Sequence, residues 1–525
     1  MTKYHKNVAV AGFVALIFVS LIVLFKPGLD SMETIQPAIA VLLVSLYLGG
    51  RTVWARPPKL IWLPIIAALV AIPFVILSRA FGSFLVMSLV FHAQFGIEGA
   101  DFAGFGQEIF DGVLYVCLVL LGAYALSNLL SQQKAFYSLA TVVLIVLNPL
   151  TWYLVEYGKN QSIESDLHLQ LSEAELAPPA VLPDIIYVYL EGLERGFENS
   201  NVFGDIYAPL KPYEEMGVTF TGLHEINGTG WSLAGTVATQ CGVPLVPTGL
   251  RAYKNLDEKA DFMPSRACLT DLTASLGYQN SYVMGGSQNF GGFDHFFSAH
   301  NFDNIVDMNA VSERRDPDEI EAATISWHLD DEMMLIEARD LYETKKTQDA
   351  PMLMMILTYG PHGTTSGLSR GCSISGRAEL APDISSAIAC TLKDVVPFID
   401  HLIENRRDRP TIVVLGSDHL NHDPGMSETV ALSDRRNTLI MFSLGMADPL
   451  VPPGTRIDRP ASMVDVFPTI LAYAGLTSPN VQAGLGRSMF GEPPTIMEEK
   501  GLSRFDSELF PNPLLSEAVW GTDTE

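Results

Sequence analysis

Five long apolar runs, near 7–25, 35–50, 60–78, 112–131 and 135–155, fill the first third of the chain. A bilayer-crossing helix takes about 20 such residues, so five spans are predicted, the second short and with the least defined edges. No small-residue cleavage site follows the first, and more spans come after it, which argues against a removable leader. The pattern then changes. Residues 156–183 are polar and afterwards Pro-rich, and read as a linker. Beyond it lie short apolar β-rich runs: DIIYVYLE (184–191), GVTFTGL (217–223), SYVMGG (281–286), PMLMMILTYG (351–360), TIVVLGSDH (411–419) and NTLIMFSLG (437–445). Helical patterns at 326–345 and 392–406 separate several of them. Unbroken apolar strands alternating with helices predict a mostly parallel sheet covered on both faces. No internal repeat or low-complexity tract interrupts it.

Charge divides the chain the same way. Residues 1–160 carry 9 Lys/Arg and 7 Asp/Glu, the remainder 24 and 52. An acidic soluble part argues against a basic groove and hence against a nucleic-acid partner. Lys3, Lys6, Arg51, Arg56, Lys59 and Lys134 all fall on one side if the amino terminus is cytoplasmic. Five crossings then place everything after residue 160 outside.

Cysteine usage fits that compartment. Cys117 lies within a predicted span; the other four, Cys241, Cys268, Cys372 and Cys390, are in the soluble part. An even number in an oxidising space suggests two disulfides, most economically Cys241–Cys268 and Cys372–Cys390, out of three possible pairings. Zinc binding is the rival, without the C-x-x-C spacing that would support it.

In an open α/β sheet the site lies just past the carboxyl ends of the strands. Here those ends deliver Glu191, His362, Asp418 and His419. Thr229 lies between Gly228 and Gly230, just before an expected helix start at Trp231–Ser232. Glu191, Asp418, His419 and the Thr229 hydroxyl form a hard oxygen-and-imidazole set suited to Mn²⁺, Zn²⁺ or Mg²⁺. Such an ion would acidify the Thr229 hydroxyl, making it a nucleophile that passes a phosphoryl group through a covalent intermediate. Free amides at the helix start would face the phosphate. Taken alone, Thr229 is more often a cap or turn residue, and His362 reads also as a solvated loop histidine.

The blocks YVYLEGLER, NGTGWSLAGTVATQCGVPL, ACLTDLTASLGYQNSYVMGG, LTYGPHG, SDHLNHD and GLGRSMFG run in the order seen in membrane phosphoglycerol transferases. The chain over 184–490 resembles the lipoteichoic acid synthase branch of the sulfatase-like, alkaline-phosphatase superfamily. Within it, the similarity is greatest to Gram-negative enzymes that act on osmoregulated periplasmic glucans. The resemblance implies a multi-span α-helical membrane domain followed by an α/β sulfatase-like catalytic domain. The corresponding divisions are 1–158 for the membrane domain, 159–183 for the linker, 184–495 for the periplasmic catalytic domain and 496–525 for a carboxyl-terminal tail. No large further carboxyl-terminal domain is expected.

It also implies a bacterial inner-membrane enzyme with Thr229 as nucleophile and a metal, Mn²⁺ first and Mg²⁺ or Zn²⁺ as alternatives, on Glu191, Thr229, Asp418 and His419. The implied donor is phosphatidylglycerol, the acceptor a periplasmic glucan, the first product diacylglycerol. His362 is placed near the transferred group, with Trp231 beside the nucleophile. Relatives carry an arginine in the loop after the MGG strand; this chain has none between Gly285 and Ala299, so Asn289 or His295 is assigned its place. Phosphoethanolamine transfer to a lipid or glycan is the nearest alternative, followed by a phosphodiesterase on the sulfatase fold. Sulfatase activity is disfavoured, because CGVPL and MPSRA both miss the C/S-x-P-x-R setting. An assembly factor with a degenerate domain is disfavoured by the intact Glu-Thr-Asp-His set.

Overall fold

The computed structural model describes residues 163–521 apart from 247–261, 364–365 and 423–434, together with 148–160 and isolated positions between 62 and 146. The spans expected near 7–25, 35–50 and 112–131 lie outside the described residues, that near 60–78 does so in large part and that near 135–155 in part. Among the described residues no helix is long and apolar enough to cross a membrane. The chain forms two compact units, the second holding Asn160–Glu525. In the first, Asn148 donates from its side-chain amide to the Ala67 carbonyl at 3.0 Å.

The second unit is built on eight strands: β1 (Asp184–Leu190), β2 (Val218–Phe220), β3 (Gln279–Met284), β4 (Asn304–Val306), β5 (Met352–Leu357), β6 (Thr411–Ser417), β7 (Leu439–Leu444) and β8 (Thr455–Ile457). Their order across the sheet is β8-β2-β7-β6-β1-β5-β3-β4. From β6 to β4 every pairing is parallel, whereas β7 runs antiparallel to both its neighbours. The apolar runs become strands because both sheet faces are covered. Ile185, Tyr187 and Tyr189 enter one core with Leu353, Met355, Ile412 and Val414. Ile186, Val188 and Leu190 enter the other with Met354, Ile356, Val413 and Leu415. Two buried faces leave no polar alternation to see in the sequence.

The first core is covered by α1 (Ser232–Cys241) and α4 (Val466–Tyr473), the second by α2 (Asp331–Lys345) and α3 (Ile384–Asn405). The expected helix at 326–345 starts at 331, because Thr324–Ile325 and His328–Leu329 pair as a hairpin. The one expected at 392–406 starts eight residues earlier, at Ile384, where Asp383 caps it by accepting from the Ser386 N–H. Both expected disulfides are present, Cys241–Cys268 and Cys372–Cys390. The first ties the end of α1 to the helix Leu269–Ser275.

Residues past 495 contribute to the same core. Helices Ile496–Lys500, Leu502–Leu509 and Pro513–Trp520 bury Phe505, Leu509, Leu515, Val519 and Trp520 against it. Leu167, within the stretch read as a linker, is also fully buried there.

Candidate active site

Register brings the first two acids together. Leu190 at the end of β1 pairs with Ser417 at the end of β6, so Glu191 and Asp418 leave adjacent parallel strands side by side. His419 follows directly. Glu191, Asp418 and His419 are all buried, and their ligand atoms lie within 4.8 Å of one another. The backbone holds them in place: Asp418 Oδ1 accepts from the N–H of Gly192 at 3.0 Å and of His419 at 2.9 Å. Nδ1 of His419 donates to the Leu420 carbonyl at 2.8 Å. That bond leaves Nε2 as the inward atom, 3.3 Å from Glu191 Oε1 and 3.2 Å from Asp418 Oδ2.

Two buried carboxylates against one imidazole need a positive charge. Burial, and then the Asp418 charge, push Glu191 up to about 8. Burial would lower His419, but Asp418 and Glu191 outweigh it and raise it to about 10. Asp418 Oδ2 is buried without a hydrogen-bond partner, a lone pair that a bound cation would satisfy. The donor set fits a hard or borderline divalent ion, and the outward Nδ1 bond is the usual way a ligating histidine is oriented.

The hydroxyl that meets this cluster belongs to Ser232, not to Thr229. Ser232 Oγ donates to Glu191 Oε2 at 3.3 Å and lies 3.4 Å from His419 Nε2. Thr229 Oγ1 instead donates to the Ile226 carbonyl at 2.8 Å and accepts from the Ile226 N–H at 3.1 Å. It closes a turn on itself and makes no hydrogen bond to Glu191, Asp418 or His419. The physical reason is spacing. Ser232 is the first residue of α1, and the extended Trp231 carries the chain from the turn to that helix. The signal available in the sequence was the serine at the expected helix start.

α1 is set against the cluster by Gly235. A Cβ there would come within 1.7 Å of the Asp418 carbonyl oxygen. No side chain caps the helix start, so its first amides stay available to an anion. Trp231 is buried at that start.

His362 follows β5 on the same sheet edge. Its loop is anchored by Asp331, whose carboxylate accepts from Tyr359 N at 2.6 Å and Gly360 N at 3.1 Å. Desolvation, with the neighbouring His328 and His419, lowers His362 to about 3, so it is neutral. Asn289 is exposed in the loop after β3, and His295 lies half-buried on the helix Phe293–Ala299. A further residue of this site is His422. Its Nε2 donates to the Gly230 carbonyl at 2.9 Å, and its ring stacks on His419 at 4.4 Å.

Residues 183–476 match the family model described as Sulfatase. The chain belongs to the sulfatase family. Among relatives of this sulfatase-family chain, phosphoglycerol transferase I of Xanthomonas euvesicatoria is 27% identical over 476 residues, covering 85% of this chain and 64% of the relative. Phosphoglycerol transferase I of Salmonella arizonae is 27% identical over 65% of this chain and 46% of its own length. The chain thus spans less than two thirds of these relatives. A solved alkaline-phosphatase-superfamily protein from Vibrio parahaemolyticus is 21% identical with a TM-score of 0.46, covering 61% of this chain and 74% of that one.

Proposed function

We propose that this sulfatase-family protein is a phosphoglycerol transferase that moves glycerophosphate from phosphatidylglycerol to a hydroxyl of a periplasmic glucan. The observation that carries the reading is the Ser232 hydroxyl at the start of α1, within reach of both Glu191 and His419. The relatives named phosphoglycerol transferase I support the choice of transferred group.

Glu191, Asp418 and His419 would hold a divalent cation, with Mn²⁺ the first choice and Mg²⁺ or Zn²⁺ the alternatives. When bound, that ion acidifies the nucleophile and neutralises phosphoryl oxygen charge. Ser232 Oγ attacks the donor phosphorus, a P–Oγ bond forms, and the bond to the diacylglycerol oxygen breaks. Diacylglycerol leaves with the proton given up by Ser232. The α1 amides stabilise charge on the phosphorus oxygens, and neutral His362 flanks the transferred group. An acceptor hydroxyl then attacks the serine diester, and its proton returns to Ser232. In this reading the amino-terminal third anchors the enzyme in a bacterial inner membrane. The Ser232 edge of the sheet then lies in the periplasm, where the two disulfides persist.

The test uses the full chain with vesicles of phosphatidylglycerol or of phosphatidylethanolamine, each with and without gluco-oligosaccharide. Diacylglycerol release from the first alone, with glycerophosphate on the sugar when it is present, is the expected result. Release from phosphatidylethanolamine alone would replace the reading with phosphoethanolamine transfer.

A further inference from the structure

Beside His362 stands a hairpin that the chemistry above does not use. Ile325 pairs with His328, leaving Ser326 and Trp327 as a two-residue tip. Ser326 has φ +53°, a conformation glycine or asparagine normally supplies. His328 is fully buried; its Nδ1 donates to the Leu329 carbonyl at 2.9 Å, while Nε2 has no hydrogen-bond partner. A left-handed serine and an unpartnered buried nitrogen are both costs, and such costs persist where the surrounding structure imposes them.

What they achieve is the placement of one indole. Trp327 lies 5.1 Å from the His362 ring, 5.5 Å from Tyr359 and 5.1 Å from Phe290. It is half-buried, as are Phe290 and His362. The glycine pair after β3 makes room for it. A Cβ on Gly286 would meet Trp327 Cζ3 at 3.0 Å, and one on Gly285 would meet the Leu329 carbonyl oxygen at 2.8 Å. Leu329 N–H in turn donates to the Gly285 carbonyl at 2.9 Å, pinning the hairpin to the end of β3. Phe290 comes from the segment 286–298, which contains no lysine or arginine. Among the described residues, the side chains ranged around Trp327 beside His362, those of Tyr359 and Phe290, are therefore aromatic.

We propose that Trp327, with Phe290, determines specificity by stacking against the carbon skeleton of an uncharged polyhydroxyl group attached to, or attacking, the phosphorus. Aromatic walls bind such C–H faces while leaving the hydroxyls to polar neighbours. Two parts of the proposed reaction share that chemistry, the donor's glycerol and a sugar ring of the acceptor. The proposal rests on the transferase reading and adds which residues choose the substrate.

The test is calorimetric titration of the full chain carrying Ser232→Ala, so that nothing turns over. The probes are sn-glycerol 1-phosphate, a gluco-oligosaccharide and inorganic phosphate. Adding Trp327→Ala weakens glycerol phosphate by about tenfold if the wall holds the donor, or the oligosaccharide by that factor if it holds the acceptor. Inorganic phosphate binds unchanged in both cases. Trp327→Phe keeps most of the affinity, and it also serves as the variant should the alanine protein fail to fold. Unaltered binding of both carbon-bearing probes in a folded Trp327→Ala protein overturns the proposal. If wild type releases no diacylglycerol yet Trp327→Ala still weakens a probe, the transferase reading falls and the wall stands.

Discussion

Ser232 Oγ donates to Glu191 Oε2 at 3.3 Å, although 41 residues separate them in sequence. Thr229, three residues earlier, spends its hydroxyl on Ile226. The two residues therefore have separable fates under mutation. Ser232→Ala should reduce turnover by about a thousandfold or more, as removal of a nucleophile does. Ser232→Thr keeps a hydroxyl and should retain part of the activity. Thr229→Ala should stay active and lose only local stability. Withholding acceptor should leave one glycerophosphate on the peptide containing Ser232, read by mass spectrometry; the same mass on Thr229 would reverse the assignment.

Metal content follows from the three buried ligands. Purified wild type should carry about one divalent ion per chain, and Glu191→Gln, Asp418→Asn or His419→Ala should each carry far less. Elemental analysis measures this without any assay of turnover. Chelation should lower both metal and activity together, and readdition of Mn²⁺ should restore them.

Gly235 should tolerate no side chain. Its added Cβ would overlap the Asp418 carbonyl oxygen, which is backbone and cannot rotate away. Gly235→Ala should lower stability by about 1–3 kcal/mol, the usual cost of overpacking, and should displace Ser232 from Glu191. Denaturant midpoints check the first and turnover the second. An unaltered midpoint would show that α1 packs less closely than 1.7 Å implies.

Asp394 sets a pH dependence remote from the chemistry. Burial, and then the nearby Asp331, Glu332 and Asp330, raise it from 3.8 to about 7. An acid whose folded pKa exceeds its unfolded value binds more protons in the native state between the two. Its contribution is therefore fully present below about 4 and is lost as pH rises through about 7. Asp394→Asn should flatten the fall in stability over that window. Thermal midpoints of the two proteins between pH 4 and 8 give the comparison, and parallel curves would exclude Asp394 as the cause.

Six of the eight strand positions, both cysteine pairs and three cluster residues were legible in the sequence, whereas the short edge strands Asn304–Val306 and Thr455–Ile457 were not. Apolar runs of six or seven residues have few alternatives, and a chain emerging from adjacent parallel strands must present its next residues together. Glu191 and Asp418 follow directly from that. Less legible was the start of α2, displaced by a hairpin whose tip, Ser326–Trp327, carries no glycine or asparagine to announce a turn. The stretch after 495 reads as a carboxyl-terminal tail, yet its spaced Phe505, Leu509, Leu515 and Val519 complete a core assembled from distant segments.

Which hydroxyl meets the cluster shows where the sequence stops. It determined by itself that a hydroxyl next to glycines would stand at the beginning of a small-residue helix, on the same sheet edge as Glu191, Asp418 and His419. Two hydroxyls stand there within four positions, Thr229 between glycines and Ser232 at the first helical residue. Only the tertiary structure decided between them. The contact of Gly235 with the Asp418 backbone sets how far α1 slides along β6, and that depth brings the first helical residue to the cluster. A turn closed by Thr229 on Ile226 holds the earlier hydroxyl away. Local propensity permits either residue to face inward; the packing distance between one helix and one strand end permits only Ser232.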